Sequence, residues 1–219
     1  MPISTRSVPA APEPGPPAPV SGAEELQEAP AGHSHPLRPY VVVFEGLIAD
    51  RVCDQLIAEF SASDEWKPAM VGDRLVEPDI RRVDVIEISQ RSVLERNPGV
   101  RRRLEQALYT AALGAVRRYQ GLFPHCRIVE GQAFELLRYQ TGGFYKMHTD
   151  SFKRVPRSLS CSIALNDDFE GGEWCFFSGA YTVRPPKGSI VLFPSNFLFP
   201  HEIQIVRRGT RYSVVTWMI

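Results

Sequence analysis

The chain has 219 residues, 43% of them hydrophobic, with 25 basic and 25 acidic side chains and a formal net charge of zero. That length and apolar fraction fit one domain of ordinary size with a real core. The zero net charge argues against a nucleic-acid-binding or acidic-membrane surface, and no apolar run approaches the ~18 residues of a membrane span.

The N-terminal stretch has no apolar signal-peptide core, and Cys53, Cys126, Cys161 and Cys175 form no Cys-x-x-Cys pair. A reducing, cytoplasmic setting without a zinc knuckle is expected. Residues 1–38 interleave proline with Ala, Gly, Ser and Glu. Such a segment buries too little apolar surface to offset its ordering entropy, so a disordered tail is expected. A Pro-rich docking peptide is the alternative. His33 and His35 read as solvated residues of this tail.

Folded sequence, residues 39–219, opens with a short apolar strand at Tyr40–Phe44. Asp50 is placed to cap a helix whose buried face is Cys53, Leu56, Ile57 and Phe60, recurring at i, i+3, i+4, i+7. Residues 66–80, with Trp66, Pro68, Gly72 and Pro78, read as a loop, and Arg81–Ile88 alternates as a strand. Asn97-Pro98 predicts a second helix start, Asn as cap and Pro at the first helical position. Leu104, Leu108, Ala111, Ala115 and Tyr119 mark its buried face, and the run Arg101, Arg102, Arg103 reads as a solvated face.

From about Arg127 the pattern is all strand. Leu159, Cys161, Ile163 and Leu165 alternate with Ser158, Ser160, Ser162 and Ala164 at a period of two. Gly171-Gly172, Ser178-Gly179, Pro185-Pro186-Lys187-Gly188 and Arg208-Gly209 punctuate the strands as turns. Closely spaced short strands indicate a two-sheet jelly roll or barrel, here a mainly β, α+β domain with supporting N-terminal helices.

The chemistry concentrates in His148, Asp150, His201 and Arg211. Residues i and i+2 of a strand share a face, so His148 and Asp150 point the same way, and His201 opens another strand after Pro200. Two imidazoles and one carboxylate can hold one face of a divalent ion and leave the other positions open, favouring Fe(II), Mn(II) or Co(II) over a thiolate-rich structural zinc site. In Thr210–Ile219, Arg211, Ser213, Val215 and Trp217 share one face of an apolar strand. A buried Arg there must be paired. The partner is either a nearby Asp or Glu or a bound dicarboxylate held by a charge-assisted clamp. Ser213 and Tyr139 offer further hydrogen-bonding groups to such a ligand.

Arg138-Tyr139, Gly142-Gly143, Tyr145-Lys146, His148-Thr149-Asp150, Gly171-Gly172-Glu173, Lys187-Gly188, Phe193-Pro194-Ser195, Pro200-His201 and Gly209-Thr210-Arg211-Tyr212-Ser213 with Trp217 together resemble the catalytic core of 2-oxoglutarate- and Fe(II)-dependent dioxygenases, in the prolyl 4-hydroxylase-like branch. The resemblance covers residues 39–219 in outline, with the catalytic core at about 127–219. It implies a cupin-like double-stranded β-helix in which His148, Asp150 and His201 bind iron and carry catalysis. It implies that Arg211, with Tyr139 and Ser213, binds 2-oxoglutarate. Many animal and plant prolyl 4-hydroxylases carry Lys where this chain has Arg211; other relatives carry Arg. Tyr145 occupies a position that faces substrate in this branch. The segment 66–82, with Trp66, Arg74, Arg81 and Arg82, falls where relatives cover the active site.

The implied reaction converts 2-oxoglutarate and O2 to succinate and CO2 while hydroxylating an unactivated C–H, with ascorbate as a candidate reductant. Asp150 favours hydroxylation, because related halogenases lack this carboxylate. The substrate stays open among a peptidyl residue, an amino acid and a small natural product, and so does the oligomeric state. A divalent-metal hydrolase and a cupin-like sensor without turnover are the alternatives.

Overall fold

The computed structural model describes residues 35–71, 76–128, 130–151 and 156–219. The tail expected over residues 1–38 lies almost wholly outside the described residues, His33 included. Its last residues do not: the His35 ring stacks on Phe177 with centroids 3.9 Å apart, and Leu37 packs against an interior cluster. His35 is thus a packing residue, because an aromatic face was available to cover it.

In chain order the elements are β1 (Val42–Phe44), α1 (Asp50–Phe60), β2 (Lys67–Pro68), β3 (Arg81–Arg82), β4 (Asp84–Glu87), α2 (Arg91–Leu94) and α3 (Pro98–Leu122). Then follow β5 (Glu135–Tyr139), β6 (Phe144–His148), β7 (Leu159–Ala164), β8 (Glu170–Gly171), β9 (Trp174–Phe176), β10 (Tyr181–Val183), β11 (Ile190–Pro194), β12 (His201–Ile203), β13 (Val206–Arg208) and β14 (Arg211–Met218). The larger sheet runs β1-β11-β7-β14-β5-β4-β2 and the smaller β10-β9-β12-β6-β3, with a β13-β8 pair beside them. Every strand pairing among the described residues is antiparallel. No helix among the described residues is long and apolar enough to cross a membrane.

The larger sheet is buried on both faces, and this sets the position of the site. Its outer face carries Leu136, Leu159, Cys161, Ile163, Leu192 and Val214, which pack with Leu56, Phe60, Leu104 and Leu108 of α1 and α3. Its inner face carries Leu137, Tyr139, Val191, Phe193 and Val215, which meet Trp174, Phe176 and Ile203 of the smaller sheet. The period-two reading of β7 therefore sorts two interiors rather than core from solvent: all six of its residues are buried, with the apolar set under the helices and the serines facing inward. Small inward residues leave room between the sheets.

Several local expectations are corrected. Tyr40 ends a 3-10 turn, Arg38–Tyr40, and the first strand begins at Val42. Asp50 is the first helical residue and Ala49 the cap, so its acid acts on the helix dipole, not as a side-chain cap. Pro98 does open α3, but the Asn97 amide donates to Glu59 Oε2 at 2.9 Å and makes no cap bond. The Arg81–Ile88 strand splits at Val83: β3 pairs with β6 in the smaller sheet and β4 with β5 in the larger. Within the expected loop 66–80, β2 pairs with β4, and Gly72–Leu75, with Arg74, lie outside the described residues. Arg101 is buried, whereas Arg102 and Arg103 are exposed as expected.

Candidate metal centre

His148 ends β6 and His201 begins β12, its antiparallel neighbour, and the register sets the two residues opposite each other. Asp150 lies in the bend just after β6 rather than within the strand. It still converges: ligand atoms of His148, Asp150 and His201 all lie within 4.8 Å of one another. Asp150 Oδ1 is 3.4 Å from His148 Nε2, and Oδ2 is 3.7 Å from His201 Nε2.

The surrounding hydrogen bonds select the ligating form of each group. His148 Nδ1 is 2.8 Å from the Lys146 carbonyl, and His201 Nδ1 is 3.1 Å from the Phe199 carbonyl. A carbonyl only accepts, so each Nδ1 donates its proton there, and in a neutral imidazole the Nε2 facing Asp150 is the ring atom left to ligate. The Ser160 hydroxyl donates to Asp150 Oδ2 at 2.7 Å and lies 2.8 Å from the Ser195 hydroxyl. Burial would raise the Asp150 carboxyl, but His201, His148 and Ser160 outweigh it and hold the carboxyl well below the usual carboxylate range. Burial pushes the His201 imidazole down to about 4, against the opposing pull of Asp150. An ionised carboxylate and neutral imidazoles are the forms a divalent cation requires, so the donor set fits such an ion.

Arg211 begins β14, opposite Tyr139 on β5. It is 4% exposed. Its Nη1 donates to Ser213 Oγ at 3.0 Å, and the guanidinium lies 5.0 Å from the Tyr139 ring centroid and 5.7 Å from that of Trp174. No carboxylate pairs with it among the described residues, and burial lowers its pKa while Tyr139 opposes the shift. The Trp174 ring also lies 5.2 Å from the His201 ring, so one indole spans the space between the guanidinium and the triad. A Cβ on Gly172 would meet Arg211 Cδ and Val206 Cγ2 at 3.0 Å, and its φ of +67° is one that L side chains rarely adopt. The Gly171-Gly172 turn is thus read as a close approach to the arginine as much as a chain reversal.

Of the substrate-facing candidates, Tyr145 stacks on His148 with centroids 3.5 Å apart. Arg82 is exposed over Phe144, and it is Arg81 whose guanidinium covers the Tyr145 ring, at 4.6 Å. Trp66 is not brought to the triad: it packs against the helix-side cluster, its indole donating to the Phe60 carbonyl at 2.8 Å. Ser160, Trp174, Glu135 and Arg157 escaped the sequence reading. The inward serines of β7 were the one signal for Ser160, since a polar residue at every second position of a buried strand needs partners inside.

The double-stranded β-helix thus carries a His-x-Asp…His cluster on its smaller sheet and a buried arginine on β14 of the larger one. Residues 134–219 match the model of the 2OG-Fe(II) oxygenase superfamily. A PKHD-type hydroxylase of Synechococcus sp. (strain CC9902) is 37% identical over 87 residues, covering 37% of this chain and 38% of that protein. A PKHD-type hydroxylase of Janthinobacterium sp. (strain Marseille) is 33% identical over 93 residues, covering 37% and 40%. The chain thus spans about two fifths of the length of these curated relatives. Among solved structures, a prolyl hydroxylase of Trichoplax adhaerens, in complex with a hypoxia inducible factor peptide fragment, superposes with a TM-score of 0.68 at 16% identity over 82% of this chain and 83% of that one. A prolyl-4-hydroxylase of Pseudomonas putida gives 0.59 at 22% identity over 82% and 91%. The fold is that of the prolyl hydroxylases, and over residues 134–219 the resemblance to 2-oxoglutarate/Fe(II) oxygenases is borne out.

Proposed function

We propose that the protein is an Fe(II)- and 2-oxoglutarate-dependent dioxygenase that hydroxylates an unactivated C–H bond. The observation that supports this above the others is Arg211: a buried guanidinium without a carboxylate partner among the described residues, one indole away from the triad. An unpaired buried charge is costly, and a dicarboxylate is the ligand that answers it.

His148, Asp150 and His201 would hold the iron. Bound Fe(II), with 2-oxoglutarate and O2, supplies the oxidation that yields succinate, CO2 and a hydroxylated product, with ascorbate as a candidate reductant. Arg211, oriented by Ser213 and beside Tyr139, would grip the far carboxylate of 2-oxoglutarate. Phe176, Phe193 and Trp174 surround His201 with ring centroids at 5.5, 4.7 and 5.2 Å, and their apolar faces exclude water there. Tyr145 is the substrate-side residue, because its ring covers His148. Arg82 and Trp66 do not share that position. A peptidyl residue is the first substrate class to test, ahead of a free amino acid or a small natural product.

The test is succinate formation from 2-oxoglutarate. It should require both Fe(II) and O2 and be lost in His148→Ala. Full activity in that variant would remove the site assignment. Hydrolysis under strict anaerobiosis would favour the metal hydrolase, and tight 2-oxoglutarate binding without oxygen uptake would favour a sensor.

A further inference from the structure

Glu135 is the first residue of β5 and shares its inward face with Leu137 and Tyr139. Its side chain lines a cavity of about 170 Å³ together with Asp150, Tyr145, Trp217, Arg81 and Arg157. One wall of that cavity is therefore a ligand of the metal centre. The Glu135 carboxylate is half-buried, yet it makes no hydrogen bond or ion pair among the described residues. Burial pushes its carboxyl up, while Arg81 and Arg157 pull it down.

Such a group is unfavourable for the fold alone. A carboxylate partly removed from water is stabilised by a donor. The strand register worsens the position, since Glu135 sits directly opposite Glu87 on β4, and like charges facing each other across a sheet are destabilising. The arginines of the same cavity do not neutralise Glu135 by contact. Arg81 donates Nη1 to the Met70 carbonyl at 2.8 Å and lies over Tyr145, with its Nε buried and unpartnered. Arg157 lies 3.6 Å from the Trp217 centroid and donates to Gln132 Oε1 at 3.1 Å and to the Asp150 carbonyl at 3.2 Å. With Asp150 turned to the metal centre, the remaining charges of this wall are the guanidiniums of Arg81 and Arg157 and the carboxylates of Glu87 and Glu135, so an added ammonium would face both arginines. A neutral donor avoids that repulsion.

We propose that Glu135 determines substrate specificity by accepting a hydrogen bond from an amide N–H of the substrate, next to the C–H that is hydroxylated. The inference rests on the dioxygenase reading for what happens at that C–H, but not for the binding itself. The amide comes either from a peptide backbone or from a primary carboxamide.

The experiment is calorimetric titration of the full chain loaded with Mn(II) and 2-oxoglutarate under argon, repeated on the metal-free chain. The probes are N-methylpropionamide and propionamide, each against methyl propionate, which carries no N–H. A hydrogen bond to a charged acceptor predicts that an amide binds about tenfold or more tighter than its ester. The pair showing the preference identifies the source: the methylamide pair for a backbone amide, the propionamide pair for a side-chain-like carboxamide. Glu135→Leu should abolish the preference, and Glu135→Gln, which keeps an acceptor oxygen, should restore part of it. Thermal melts of both variants check that each is folded. Equal binding of amide and ester to the unaltered protein overturns the proposal, as does a preference that survives in Glu135→Leu. A chain that showed the preference but formed no succinate would instead count against the dioxygenase reading.

Discussion

His148 and His201 are cross-strand partners, their ring centroids 4.3 Å apart, and the register slips immediately beyond them so that Ile203 pairs with Tyr145. Bulges of this type re-aim side chains next to active sites. Here the irregularity accompanies the stacking of Tyr145 on the outer face of His148. The two imidazoles are thus fixed by backbone pairing, while the third member, Asp150, depends on side-chain support beyond the strand end.

That support is Ser160, and its removal should be felt at the metal. Ser160→Ala deletes the 2.7 Å hydrogen bond to Asp150 Oδ2 without altering any proposed ligand. Partners of ligands typically contribute 10- to 100-fold in metal affinity, so Fe(II) or Mn(II) binding should weaken by about that factor. The hydroxyl is buried on the inward face of β7, and an alanine fits there, so the unfolding midpoint of the metal-free protein should move little. Unchanged metal affinity would mean that Asp150 is held by its backbone alone.

Arg211 gives an opposed pair of readouts. Arg211→Met removes the charged clamp, and two charge-assisted hydrogen bonds at ~1.5–3 kcal/mol each predict a loss of at least about 100-fold in 2-oxoglutarate affinity. The ligand-free protein should be no less stable, because a buried cation with no acid beside it among the described residues is replaced by an apolar chain of similar length. Had Arg211 been part of an internal ion pair, the same change would cost ~3–5 kcal/mol. Urea unfolding and 2-oxoglutarate titration of one variant separate the two cases.

The sequence showed most where chemistry and periodicity coincide. His-x-Asp, the distant His and the arginine on an apolar strand are local statements about side-chain type and face, and β14 keeps Arg211 and Val215 on the inward side with Val214 and Met218 outward. What was hidden depends on partners remote in sequence. Arg101 looked like one of three solvated arginines, but Glu59 and Glu65, 42 and 36 residues earlier, draw it inside. Val83 divides an alternating run between two sheets, and alternation does not say which sheet a strand joins. Nothing in the sequence singled out Glu135; the register sets Glu87 against it.

Arg101 carries a structural prediction of its own. Its Nε is 2.7 Å from Glu59 Oε1, its Nη1 is 2.7 Å from Glu65 Oε2 and from the Val93 carbonyl, and the guanidinium lies 4.5 Å from the Phe60 ring centroid. It clamps α1 and the segment after it to α3. Arg101→Ala should destabilise the fold by ~3–5 kcal/mol, since Glu59 is left largely buried without its cation and Glu65 keeps only Arg96, at 3.5 Å. Arg102→Ala, one position along on the exposed side, should stay within ~0.5 kcal/mol. Denaturant midpoints of the two variants test this, and similar values for both would return Arg101 to the solvated face.

The acid side of the stability profile should report His201. Its imidazole is 1% exposed, and burial lowers its pKa from 6.5 to about 4 in the folded, metal-free protein. Between those two values the unfolded chain takes up a proton that the folded chain refuses. Stability is therefore untouched by this group above pH 6.5, falls as the pH drops from 6.5 toward 4 with a slope approaching ~1.4 kcal/mol per unit, and levels off once the folded form protonates too. The whole contribution is about 3 kcal/mol on that linkage. Other groups titrate in the same range, so the quantity to measure is the difference between the metal-free wild-type protein and His201→Asn. Asparagine keeps a polar group at the site but has no proton to gain. Urea midpoints of the two proteins at intervals from pH 7 to pH 4 should diverge, the wild type losing stability faster. Parallel profiles would show that His201 is protonated in the fold at those pH values, and that the neutral, ligand-ready imidazole argued from its Phe199 contact is wrong.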